Sequence, residues 1–169
     1  MSEVSILIAG IGNIFLGDDA FGCEVVKELS RREWPKNVRL VDFGIRGFDL
    51  AYAMLDEHDL TIFVDAVPRG NAPGTLYTIE PDLSDVESFE GNVTLETHGM
   101  NPMKVLQMVK TMGGRFKKVL LIGCEPETFG PEEGLFGLSA VVQAAVPEAA
   151  KIVESLVNKQ LEQSFEMIA

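Results

Sequence analysis

The sequence predicts an α/β domain, a three-layer α/β/α sandwich on a five-stranded, mostly parallel sheet with one antiparallel edge strand. Three observations lead there. Short apolar runs alternate with stretches of helical period. The first run is apolar at every position, as expected of a strand covered on both faces. One β-rich stretch follows the third strand too closely for a helical crossover, so it joins the sheet antiparallel.

In chain order, residues 4–9 form the first strand and 10–18 a turn-rich loop. From Asp19, Phe21, Val25, Val26 and Leu29 share one face of a helix reaching about residue 32, with an Asp at its start as a favourable N-cap. Residues 38–43 read as a second strand, 48–55 as a short helix and 60–64 as a third strand ending at Asp65. The Pro/Gly/Asn-rich residues 68–74 are a loop, and 75–79 the antiparallel edge strand. Residues 81–91 are acidic and weakly ordered. A helix over 101–112 stops at Gly113-Gly114, and 118–122 is the fifth strand. A long loop, 125–137, leads to a last helix over about 139–161, with a fraying tail beyond. A strand order beginning 2-1-3 places the ends of strands one and three side by side, at the switch point where such sheets bind ligands.

A chain of 169 residues suits one domain, here residues 1–169. Its formal net charge of -12 repels phosphate backbones and anionic lipid, so neither nucleic acid nor a membrane is an expected partner. Glu3 stands where a signal peptide would be basic, and no apolar run approaches the roughly 18 residues of a spanning helix. Cys23 and Cys124 are isolated and read as reduced thiols, Cys23 in the core and Cys124 semi-buried at a strand end. The expected location is the cytoplasm.

Gly10-Ile11-Gly12-Asn13 after a buried strand invites a dinucleotide-loop reading, but Phe15 occupies the position of the third glycine. The following helix start, which would receive a pyrophosphate, carries Asp18 and Asp19 instead. Capping accounts for one acid, whereas a bound cation accounts for both. Asp65, at the end of strand three, is either a loop-capping residue or a partner in the same crevice. His58 lies in Asp56-Glu57-His58-Asp59 and reads as a solvated turn; His98, in a Gly-flanked loop before a helix, is placed to reach over the crevice. Asp19, Asp65 and His98 together make an O,O,N set with open positions, suited to a borderline ion such as nickel or zinc rather than calcium or magnesium. Neither G-x-S-x-G nor H-E-x-x-H is present.

The ordered set Gly10-Ile11-Gly12-Asn13, Gly17-Asp18-Asp19 with Gly22, Asp42, Val64-Asp65-Ala66, Asn71-Ala72-Pro73-Gly74-Thr75 and His98-Gly99 resembles the [NiFe]-hydrogenase maturation endopeptidases. The resemblance implies that Asp19, Asp65 and His98 are the catalytic metal ligands; it does not settle the base, for which Asp18, next to the site, is the candidate. It implies a metal-dependent endopeptidase that removes the C-terminal extension of a hydrogenase large-subunit precursor after nickel insertion. Nickel is then presented by the precursor, zinc or cadmium can substitute, and the enzyme acts as a monomer. Arg46, in a loop that resembles a substrate contact, has an open role. The alternative is a non-enzymatic chaperone binding the metal or the precursor in the same crevice.

Overall fold

The apolar runs form strands because each can be covered on both faces. In the computed structural model, which describes residues 3–87 and 100–168, β1 (Ile6–Ile11) is buried throughout. It is followed by a 3-10 turn (Gly17–Ala20), α1 (Phe21–Leu29), β2 (Val38–Gly44), α2 (Gly47–Met54), β3 (Leu60–Ala66) and β4 (Leu76–Ile79). A short α3 (Ser84–Glu87), α4 (Pro102–Thr111), β5 (Lys118–Cys124) and α5 (Ala140–Ile168) complete the order.

The strands lie in the order β2-β1-β3-β5-β4, with β4 antiparallel at the edge and the other pairings parallel, as expected. Alternation along the strands divides the core. Ile6, Ile8, Ile62, Val64 and Ile122 pack with α1 and α5 on one face. Leu7, Ala9, Ile11, Phe63 and Val119 pack with α2 and α4 on the other. Three layers follow from this two-sided burial.

Several boundaries move, each for a local reason. β1 continues through Gly10 and Ile11, where its ladder with β2 shifts register between those two residues. The first helix begins at Phe21 rather than Asp19: its cap position is Ala20, and neither that position nor the turn before it has a side-chain cap. Asp19 is therefore not the expected N-cap. α1 also ends at Leu29, whose carbonyl accepts the Trp34 indole N–H at 2.9 Å. In the stretch expected to be irregular, Asp82 Oδ1 accepts from Ser84 N, and fully buried Val86 anchors the single turn of α3. The last helix does not fray at about 161 but runs to Ile168, through Lys159, Gln160, Leu161, Glu162 and Gln163, all good helix formers. Asn101 is a true N-cap, accepting from Met103 N at 2.9 Å.

His58 is not in a solvated turn. It is 6 % exposed, with Nε2 facing the Ala53 carbonyl and Nδ1 facing Ser5 Oγ. A carbonyl accepts only, so Nε2 carries the proton and Ser5 donates to Nδ1. Burial pushes this imidazole below its usual pKa, holding it neutral.

The glycines near the first turn are explained by packing. A Cβ at Gly22 would fall on the carbonyl oxygens of Val64 and Ile11, and one at Gly12, whose φ is +150°, on that of Asp19. The start of α1 thus rests directly on the ends of β1 and β3. Gly22→Ala is expected to lower stability by at least about 3 kcal/mol, the upper range for overpacking, in spite of alanine's better helix propensity. Urea denaturation measures this; an unchanged midpoint would show that the contact has room.

Candidate metal-reading active site

That close seating carries Asp19 over the C-terminal end of the sheet. Asp65 arrives there on β3, its side chain on the same strand face as Phe63, toward α4. Asp19 and Asp65 line one pocket of about 320 Å³. Phe63, Pro68, Pro81, Met103, Leu106 and Phe129 supply walls that are otherwise mostly apolar. Met100 and Asn101 also line it. His98 lies outside the described residues, two positions before Met100. Among the described residues no group of three His, Cys, Asp or Glu side chains is arranged to hold a metal.

The two acids are half-satisfied. Asp19 Oδ2 accepts from Asn13 N at 2.9 Å, and Asp65 Oδ1 from Ala66 N at 2.8 Å. Their other oxygens have no hydrogen-bond partner among the described residues. Burial raises the pKa of both, and for Asp65, 8 % exposed, the Asp19 charge raises it further. Two carboxylates so placed repel each other in a weakly polar setting, and a cation or a proton relieves them. The remaining oxygens are hard donors turned toward one space, which fits the binding of a divalent ion completed by ligands from elsewhere.

Asp18 is placed differently. Its side chain is fully buried and accepts from Glu127 N, Thr128 N, Ser139 N and Ser139 Oγ at 2.7–3.0 Å. Burial pushes its pKa up, but those donors outweigh burial and hold it below the usual carboxylate range. A carboxylate with four donors and a lowered pKa is a poor proton acceptor, so the conceivable base is a structural anion.

Glu125 plays a similar part beside the pocket, and nothing in the sequence marked it. It accepts from Arg69 N, Asn71 N and the Tyr77 hydroxyl, bracing the loop that carries Pro68. The Tyr77 hydrogen bond is the main reason its pKa is lowered. Phe129 was likewise missed: a single aromatic in a long loop has no periodicity to reveal its direction.

Arg46 braces its own turn. Its Nη2 donates to the Asp42 carbonyl at 2.6 Å and its Nε to that of Phe43 at 3.2 Å. The turn borders a second groove of about 360 Å³, shared with Gly12, Asn13, Ile14, Phe15 and Cys23. Neither thiol is a nucleophile. Burial pushes Cys23 up in pKa, with the Asp42 charge adding to it. Cys124, fully rather than partly buried, is pushed up to about 12, mainly by burial.

Asp65→Asn keeps the hydrogen bond to Ala66 N and removes the repelling charge. Asp65 titrates above its unfolded value, so the stability it contributes is complete below about pH 4 and is lost as pH rises through the folded pKa. The variant is therefore expected to be more stable at neutral pH, by about 0.5–2 kcal/mol, and inactive. Thermal unfolding at pH 4 and pH 7 tests this; a loss of stability at pH 7 would make Asp65 a structural residue.

Comparison with known proteins is consistent with this geometry. Residues 23–156 match the family described as hydrogenase maturation protease. A putative hydrogenase maturation protease of Methanocaldococcus jannaschii is 32% identical over 161 residues, 94% of this chain and 100% of that protein. The hydrogenase expression/formation protein HupD of Rhizobium leguminosarum is 32% identical over 153 residues, 89% of this chain and 74% of that one. Among solved structures, the hydrogenase maturating endopeptidase HybD from E. coli superposes with a TM-score of 0.73 at 29% identity, covering 93% of this chain and 94% of that one.

Proposed function

The chain belongs to the hydrogenase maturation proteases, and from that premise we propose that it cuts the C-terminal extension from a nickel-loaded hydrogenase large-subunit precursor. As a family member it is an enzyme, a protease, and the chaperone alternative falls away. The observation that carries the nickel requirement is the pair Asp19 and Asp65. Each has one committed oxygen and one without a partner among the described residues, in a pocket whose other walls are mostly apolar.

In this reading Asp19, Asp65 and His98 hold an ion that arrives with the substrate, whose own ligands complete its shell. Bound there, the ion supplies a Lewis acid beside the scissile carbonyl. The chain's own residues do the rest. Asn13 N holds one oxygen of Asp19 while the other faces the pocket. Ala66 N does the same for Asp65. The mostly apolar walls lower the local polarity and so strengthen the attraction between these carboxylates and a cation. Zinc or cadmium fits the same donors. In this reading the reaction takes place in the cytoplasm.

Nickel-loaded precursor, incubated with the enzyme, is expected to lose its extension, read as a fall in mass at its C-terminus. Nickel-free precursor is expected to stay intact; equal cutting of both forms would remove the metal from the recognition step. His98→Ala and Asp19→Asn are each expected to lower processing at least about 100-fold, the scale of losing a metal ligand. Full processing by Asp19→Asn would leave its bond to Asn13 as its whole role.

A further inference from the structure

Among the described residues, Asp18 gathers a dense set of hydrogen bonds that the proposed reaction does not use. It lies beside Asp19 but faces away, into the loop between β5 and α5. Four donors from that loop converge on it: Ser139 N at 2.7 Å, Glu127 N at 2.8 Å, Ser139 Oγ at 2.9 Å and Thr128 N at 3.0 Å. Three backbone bonds run alongside, Asp18 N to the Thr128 carbonyl, Gly17 N to that of Leu135, and Leu135 N to that of Phe15. No basic side chain pairs with Asp18 among the described residues. The buried charge is balanced by N–H and O–H dipoles alone, and it holds the loop only while those groups surround it.

The loop so held is a wall of the active pocket. Phe129 lines the pocket with Asp19 and Asp65. Phe136, 71 % exposed, meets Phe15 edge to face with ring centroids 4.9 Å apart. Phe15 in turn borders the groove on the other side of the Asp19 turn. One latch therefore ties the turn bearing a candidate ligand to the loop that carries Phe129, on the pocket, and Phe136, on the Phe15 side of that turn.

We propose that Asp18 is a positioning residue, a latch that fastens the 125–139 loop to the Asp19 turn so that Phe129 and the Phe15–Phe136 pair form the wall receiving the precursor's C-terminal segment. This rests on the protease reading for its substrate, though not for the latch itself. Asp65 stands on β3, and Asp19 keeps its own bond from Asn13 N, so loosening the loop disturbs substrate binding more than it disturbs the reacting groups.

The test uses Asp18→Asn, Asp18→Ala and Ser139→Ala in the full chain. Val157→Ala, a cavity in the distant half of α5, serves as a control for lost stability. Hydrogen exchange of segment 125–139 is measured in each free enzyme, and processing of loaded precursor at several concentrations. Exchange of the loop is expected to quicken at least about tenfold in both Asp18 variants, and less in Ser139→Ala. KM is expected to rise about tenfold or more in Asp18→Asn with a smaller fall in kcat, and to stay unchanged in Val157→Ala. A fall in kcat at constant KM, with loop exchange unaltered, would restore Asp18 as a base and overturn the latch. Should Asp18→Ala not fold, Asp18→Asn and Ser139→Ala give the same comparison. If wild-type enzyme leaves the precursor uncut, the protease reading fails, while the exchange data still decide for or against the latch.

Discussion

The site depends on how closely the start of α1 approaches the ends of β1 and β3. Gly22 meets the carbonyls of Val64 and Ile11, and Gly12 meets that of Asp19, with no space for a side chain at either position. Ordinary helix-on-sheet packing leaves a layer of side chains between the two backbones, and that layer would lift the Gly17–Ala20 turn away from the sheet. Its absence lowers Asp19 to the level of Asp65, which the parallel ladder of β1 with β3 has already placed at the sheet's end. A glycine pattern that resembles a phosphate loop is here a device for backbone contact.

Among the acids close to this end of the sheet, the surroundings separate four by role. Asp18 and Glu125 are each surrounded by donors, and both are held below the usual carboxylate range. They close loops. Asp19 and Asp65 have one backbone donor apiece and are raised by burial, Asp65 also by its neighbour's charge. They remain available to a cation. Residue type does not make the distinction; the number of N–H groups aimed at each carboxylate does.

The start of the sheet order, the antiparallel edge and the sharing of one crevice by Asp19 and Asp65 were legible in the sequence, because they follow from hydrophobic period and from topological rules that hold over long stretches. The division of labour within Asp18-Asp19 was not. It is decided by Ser139, more than a hundred residues away, and no local pattern announces that a distant loop will supply the donors. His58 failed for a related reason: its neighbours Asp56, Glu57 and Asp59 are charged, yet the tertiary fold turns the imidazole inward to Ser5 and Ala53. The end of α5 was misplaced because amphipathic period fades there while intrinsic helix propensity continues.

Two half-satisfied carboxylates make a weak metal site by themselves, and under the proposed function that weakness serves recognition of an ion that the substrate brings. In that reading, with His98 as a third ligand, the set would still leave positions open, so a free ion would gain little from binding. An ion already held by the precursor brings its own ligands and is delivered at the high effective concentration of a docked partner. Under the proposed function the cation then attracts Asp19 and Asp65 only after protein–protein contact has been made, and relief of their mutual repulsion adds to the stability of that complex. A tighter resident site would hold its metal without the substrate and lose this discrimination.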